Sequence, residues 1–237
     1  ILTEAECKAV FIGKGDLQQK ITAIRSSVPQ LRQLIGFDEG VGEFYWKEIL
    51  KPIDHVYLDQ SISQINNHDL VTIIYTSGTT GKPKGVMLSH YNLASCIRQV
   101  KDILPVVPGD RVLSFLPLCH IFERAATYAY IYDGLSIYQT GTENLGGESG
   151  DLKSVSPHFF TSVPRLLEKV YEKIYNKGEG LTGLKKKLFF WALSLTDKYE
   201  YDVPPHGINA IKWKIADKLI FSKWRAALGG QVKGIVT

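Results

Sequence analysis

The chain has only three cysteines, Cys7, Cys96 and Cys119, widely spaced and without a C-x-x-C pair. Their odd number and spacing argue against a disulfide framework or a cysteine zinc site, and point to reduced thiols in a cytoplasm-like compartment. No apolar run approaches the roughly 20 residues that span a bilayer. No basic-then-apolar leader opens the sequence, so no export address is expected. Excess charge is scarce as well: a formal net charge of +4 over 237 residues is too small to argue for a nucleic-acid partner. Internal repeats and low-complexity tracts are missing.

What remains is the composition of a soluble globular protein, 44% hydrophobic and 22% charged, with ample material for a buried core. Apolar, β-branched runs alternate with segments of helical period. Strands are predicted at Ala9–Gly13, Leu31–Phe37, Leu70–Thr76, Val86–Ser89, Arg111–Leu116, Leu135–Gln139, His158–Val163 and Val232–Thr237. Helices are predicted at Asp16–Ser26, Val41–Leu50, His90–Ile103, Ile121–Tyr132 and Pro164–Asn176, with Pro164 suited to a first helical turn. This alternation implies an α/β fold, a mostly parallel sheet with helices on both faces. From Asn176 to Arg225 the strand signal stops. Two long helices are predicted there, Leu181–Tyr201 and Ile208–Leu228, in a segment rich in Lys and Arg that holds three of the four tryptophans, Trp191, Trp213 and Trp224. It reads as a helical insertion over about 176–228.

Between two of the predicted strands lies Tyr75–Ser89, YTSGTTGKPKGVMLS. A nucleotide-triphosphatase phosphate loop needs four residues between its glycines and then Gly-Lys-Ser/Thr opening a helix. Gly78 and Gly81 are separated by two, and Pro83 opposes a helix there. That template fails, but the chemistry is still that of an anion site. Glycines let backbone N–H groups approach a ligand closely, and successive N–H groups form a concavity for phosphate oxygens. Thr76, Ser77, Thr79 and Thr80 add hydroxyls; Lys82 and Lys84 add cations. The loop is expected to leave the C-terminal end of a buried strand, where open α/β sheets bind ligands. The plainer alternative is a surface hairpin between Thr76 and Val86.

TSGTTGKPKG, preceded by LVTIIY and followed by VMLSHYNL, closely resembles the phosphate-binding signature of the acyl-adenylate-forming enzymes, the superfamily of acyl-CoA synthetases, luciferases and peptide-synthetase adenylation domains. LSFLPLCHIFER, Leu113 to Arg124, resembles the family's LPL-x-H motif. HFFTSVPRLLEKVYEKI, with Ser162–Arg165, and FSKWRAALGGQVKGIVT resemble the long-chain fatty acyl-CoA synthetase branch. The likeness covers most of the chain and is weakest in the first sixty residues.

The resemblance implies activation of a carboxylic acid by ATP to an acyl-adenylate with release of pyrophosphate, then acyl transfer to the thiol of coenzyme A. It implies that Thr76, Ser77, Gly78, Thr79, Thr80, Gly81, Lys84 and Gly85 hold ATP phosphates, with Thr76 also touching Mg2+ and Lys84 as the phosphate cation. Lys82 falls at a variable position and is an auxiliary charge. His120 matches the residue beside the acyl carboxylate and the α-phosphate, where an imidazole can donate to developing charge; without the family it reads as a residue that caps a strand end. Glu123 and Arg124 read as surface charges that orient backbone or pair with each other. Ser162, Val163 and Pro164 either line the cleft or form a strand end and a helix start. Cys119 is not expected to act with His120, because adjacent residues of an extended segment face opposite ways.

The tryptophan-bearing helices have two readings. Ile208, Ile211, Ile215 and Leu219 recur at helical steps and suit packing against the sheet. Trp beside Lys and Arg also suits peripheral contact with the inner face of a membrane. The family's adenine-holding motif, acidic magnesium ligand, ribose-binding aspartate, hinge and C-terminal domain are not in the sequence. The expectation is therefore a middle piece of the large domain, close to inactive by itself. Rival readings are an adenylation domain for amino or aryl acids and a nucleotide-binding module without ligase activity.

Overall fold

A computed structural model gives the fold and describes residues 1–78, 81–141, 144–147, 149–197, 199–200 and 203–237. The chain divides into two compact units, Ile1–Ala94 and Ser95–Thr237.

In the first unit, β1 (Ala9–Ile12), β2 (Gln33–Gly36) and β3 (Phe44–Tyr45) form a parallel sheet in that order, with α1 (Leu17–Ile24) connecting the first two. The helix predicted over Val41–Leu50 is instead β3 followed by a 3-10 turn, Trp46–Ile49. The reason is tertiary. The Glu43 carboxylate binds Arg25 and accepts from the Leu34 N–H at 3.1 Å, which draws its segment alongside β2, and Phe44 pairs with Ile35. A helix that composition did not announce, α2 (His55–Ser63), starts where Asp54 accepts from the Tyr57 N–H at 3.0 Å. β4 (Leu70–Thr76) and β5 (Lys84–Ser89) then form an antiparallel hairpin, and α3 (His90–Val100) follows directly.

In the second unit, β6 (Arg111–Ser114), β7 (Ser136–Gln139), β8 (Phe159–Thr161) and β9 (Gly234–Val236) form an all-parallel sheet of order β7-β6-β8-β9. Helix α4 (Ile121–Tyr132) links β6 to β7, and α5 (Asp151–Val155) precedes β8. The long return from β8 to β9 holds α6 (Pro164–Glu179), α7 (Gly183–Thr196), α8 (Gly207–Ala216), a π-helical turn at Asp217–Phe221 and α9 (Ser222–Ala227). The register pairs Val112 with Phe159 and Leu113 with Phe160, and the alternation of a strand sends each pair to a different face. Val112 and Phe159 pack with Tyr130 of α4 and Leu135; Leu113 and Phe160 pack with Phe115, Leu145 and Leu152 of α5. Helices thus cover both faces of β6 and β8, which is why their centres, Val112–Leu113 and Phe159–Phe160, are apolar on both sides. Among the described residues no helix is long and apolar enough to cross a membrane.

The helical return corrects the sequence reading of its two stripes. Trp213 stacks on Tyr199 and Phe221, and Trp224 on Phe221 and Phe189, so the tryptophans serve an aromatic core with Ala192 and Ala216. The stripe expected to pack inward is the exposed one: Ile208, Ile211, Ile215 and Leu219 all face solvent. Large flat rings supply more burial per residue than isoleucine, and they win the interior.

At the N-terminal edge of the second sheet, buried Asp110 accepts from Lys233 Nζ at 2.7 Å and from the Val107 N–H at 2.9 Å. His158 Nδ1 lies 3.6 Å from Asp110 but already accepts the Arg111 N–H at 2.9 Å, so it is a neighbour and not a donor. Burial opposes ionisation of Asp110, but the Lys233 ammonium and the Val107 N–H more than offset it and hold the carboxyl below its ordinary range. A carboxyl whose folded pKa is depressed adds stability that is complete above the unfolded value of about 3.9 and is lost as pH falls through the folded value. Denaturant midpoints taken from neutral pH to below 4 are expected to fall less steeply in Asp110→Asn than in wild type; parallel slopes would refute this.

Candidate functional site

The polar loop is the tip of the β4–β5 hairpin, so the expectation that it leaves a buried strand of a parallel sheet is corrected. A connection this short cannot make a parallel crossover, and of β4 only Ile74 is buried. The hairpin brings several predicted residues together. Thr76 pairs with Lys84 and Tyr75 with Gly85, which sets the Thr76 hydroxyl and the Lys84 ammonium at the mouth of one loop. Thr76, Ser77, Gly81, Lys82 and Lys84 are all exposed. The Gly81 N–H donates to the Gly78 carbonyl at 3.0 Å, and Gly81 sits at φ +78, which glycine adopts without strain. Gly78 is required for space: a Cβ there would stand 2.2 Å from the Lys82 carbonyl oxygen. Thr79 and Thr80 lie outside the described residues. The tip therefore presents hydroxyls, a tight backbone turn and two cations outward, an arrangement that suits a polyanion. Among the described residues no group of three or more His, Cys, Asp or Glu could hold a metal ion. The Thr76 hydroxyl fits Mg2+ only as one ligand among phosphate and water oxygens, which is the usual manner of that ion.

The second unit holds His120. The order in which strands are added reverses between β6 and β8, with β7 on one side of β6 and β8 on the other, and open α/β sheets bind ligands at such a point, outside the carboxyl ends of the strands. β6 runs there into a turn closed by the His120 N–H donating to the Pro117 carbonyl at 3.0 Å. His120 is the N-cap of α4 in extended conformation, exposed, and its side chain makes no capping bond. Its imidazole therefore does not cap α4. Cys119 is free and exposed beside it.

Glu123 is the residue that sequence reasoning missed. Taken as a surface charge, it is fully buried at 0% exposure, and its two oxygens accept from Ser114 Oγ and Thr161 Oγ1, each at 2.5 Å. Ser114 and Thr161 are the last residues of β6 and β8. Its neighbour Arg124 does orient backbone, donating from Nε to the Leu118 carbonyl at 2.9 Å. The available signal was the spacing Glu123, Thr127, Tyr130, one polar face on a helix that covers a sheet. Burial raises the Tyr130 phenol above its ordinary range, with the Glu123 charge adding to the effect. Among the described residues neither the Tyr130 hydroxyl nor the fully buried Ser162 Oγ has a hydrogen-bond partner. Val163 and Pro164 form the N-cap and first residue of α6, as the strand-end reading expects.

Between α3, α4 and β8 lies a cavity of ≈ 130 Å³, lined by Ile97, Val100, Leu104, Phe122, Ala126 and Ala129 among others and almost wholly apolar.

Known proteins are similar to the chain in sequence and in fold. The chain is 29% identical to long chain acyl-CoA synthetase 3 of Arabidopsis thaliana over 255 residues, covering 100% of the chain and 37% of that protein. It is 37% identical to long-chain-fatty-acid–CoA ligase 5 of Rattus norvegicus over 178 residues, covering 73% of the chain and 25% of that protein. The chain thus spans about a third of the length of these curated relatives. Among solved structures, the adenylation domain of a carboxylate reductase from Mycobacterium chelonae superposes with a TM-score of 0.58 at 19% identity, over 99% of the chain and 36% of that domain. A red-emitting luciferase from Phrixothrix hirtus gives a TM-score of 0.53 at 22% identity, over 70% of the chain and 33% of that protein. These two likenesses concern the fold. The AMP-binding enzyme family model matches residues 1–202, hairpin loop and His120 turn included, and the chain belongs to that family.

Proposed function

We propose that the protein is a long-chain fatty acid–CoA ligase of the AMP-forming type. The observation that carries the reading is the hairpin tip, where Thr76 and Lys84 face each other across a glycine turn with outward donors. The substrate class is supported by the relatives, long chain acyl-CoA synthetase 3 of Arabidopsis thaliana and long-chain-fatty-acid–CoA ligase 5 of Rattus norvegicus.

A carboxylate oxygen of the acid attacks the α-phosphorus of ATP. The bond from that phosphorus to the oxygen bridging the α- and β-phosphates breaks, and the electron pair leaves on pyrophosphate. In the second step the thiolate of coenzyme A attacks the acyl carbon and AMP departs with its oxygen. The difficulty of the first step is the approach of two anions, so orientation and fixed charge are what a protein contributes. The residues at 76–85 hold the β- and γ-phosphates, with Lys84 opposing the charge that grows on the leaving group. His120 donates to the carboxylate and α-phosphate oxygens. Thr76 would hold Mg2+ together with phosphate oxygens, and the ion supplies neutralisation of the polyphosphate. Peripheral membrane contact, if the intact protein makes it, falls to the exposed isoleucine stripe of α8 and not to the tryptophans.

The test is acid-dependent exchange of labelled pyrophosphate into ATP by the full-length protein, across straight-chain acids of rising length, aryl acids and amino acids. Exchange is expected to rise along the fatty-acid series and to stay at background with amino acids. Preference for amino or aryl acids would overturn the substrate class; nucleotide binding with no exchange would leave only a binding module.

A further inference from the structure

The first turn of α4 is held from two sides. Arg124 ties it back to the Leu118 carbonyl of the preceding turn, and Glu123 ties it forward to Ser114 of β6 and Thr161 of β8. Farther along, the same helix packs through Ala126, Ala129 and the Tyr130 ring, which meets Phe159 edge-on at 6.1 Å between centroids. Apolar contacts choose the buried face of a helix but, being non-directional, leave its height and rotation less sharply fixed than hydrogen bonds do. Two hydroxyl bonds from two strands to one carboxylate are directional, and they admit one rotation. A buried carboxylate is costly to desolvate, and the two hydroxyl bonds offset that cost only while both donors are in place. Its position between the two strand ends at the switch point therefore ties the helix to both of them.

We infer that Glu123 is a positioning residue that fixes the height and rotation of α4 over the ends of β6 and β8, and through them the placement of the His120 imidazole at the N-cap three residues earlier. The inference rests on the reading of His120 as the group facing the reacting carboxylate and α-phosphate. Glu123 itself is sealed from the surface and touches no substrate. Displacing a donor by a fraction of an ångström weakens what it does as charge develops and leaves nucleotide binding by the loop residues 76–85 intact.

The test uses the full-length protein and three variants: Glu123→Leu, which keeps the volume, Glu123→Ala, and Glu123→Gln. Glutamine can accept from one hydroxyl with its oxygen and donate to the other with its amide. Pyrophosphate-exchange kcat is expected to fall roughly tenfold in the Leu and Ala variants with KM for ATP unchanged. The Leu and Ala variants leave the buried Ser114 and Thr161 hydroxyls without their acceptor and are expected to melt below wild type while staying folded at the assay temperature, and Gln is expected to recover most of kcat. A second readout needs no activity: the imidazole proton resonance of His120, assigned by its loss in His120→Ala, is expected to shift or broaden in the Leu and Ala variants and to hold its wild-type position in Gln. Wild-type kcat in the Leu variant, an unmoved His120 resonance, or equal loss in all three variants tracking loss of folded protein would each overturn the proposal. Absence of exchange in the wild type with every acid would defeat the ligase reading alone, and the resonance would still decide the role of Glu123.

Discussion

Gly78→Ala is expected to lower pyrophosphate exchange by about a hundredfold or more, equivalent to about 2.7 kcal/mol of transition-state stabilisation, with the melting temperature close to wild type. The added methyl would stand 2.2 Å from the Lys82 carbonyl oxygen, a backbone atom that cannot swing aside as a side-chain tip would. The turn from Gly78 to Lys82 has to open, and the Gly81 N–H bond to the Gly78 carbonyl breaks with it. The loop is exposed and contributes little to the core, so the damage should fall on the donors and not on folding. Exchange assays with ATP titration, beside thermal melts, separate the two. A variant with wild-type exchange would remove the hairpin tip from the phosphate site.

His120→Ala is expected to cost a similar factor of about a hundred, but in kcat and with KM for ATP little changed. That is the signature of a donor felt mainly as charge develops. The imidazole has the freedom for the role, because it is exposed at the N-cap of α4 and spends no hydrogen bond on capping. Asn or Gln at position 120 should recover part of the loss by offering an N–H of similar reach, and single-turnover acyl-adenylate formation is the measurement that reads it. A loss confined to KM would make His120 a binding residue.

Several elements were legible without the fold. The apolar β-branched run before the loop, the glycines and lysines within it, α4 at Ile121–Tyr132 and Pro164 opening α6 are all decided by residues adjacent in the chain. Glycine spacing and hydroxyl content point to an anion whatever the loop is attached to. His120 was legible through its motif; its exposure, and its freedom from a capping bond, were not.

Other features were settled between segments far apart. Whether the loop closes a hairpin or leaves a parallel sheet depends on which strand pairs with β4, and pairing is not written in a single strand. The period of Ile208, Ile211, Ile215 and Leu219 marks a helix face as well as that of Trp213 and Trp224 does, and competition for the interior chose the rings. Glu43 turned an expected helix into a strand by binding Arg25 and the Leu34 N–H.

Glu123 shows the division most sharply. By itself the sequence determined that a carboxylate stands three residues after the histidine, on one helix face with Thr127 and Tyr130. Only the tertiary structure decided that this face lies over the sheet, where Ser114 is 9 residues away and Thr161 is 38. A charge can be buried only when partners from other segments satisfy it, so its environment belongs to the assembled fold and not to its neighbours in the chain.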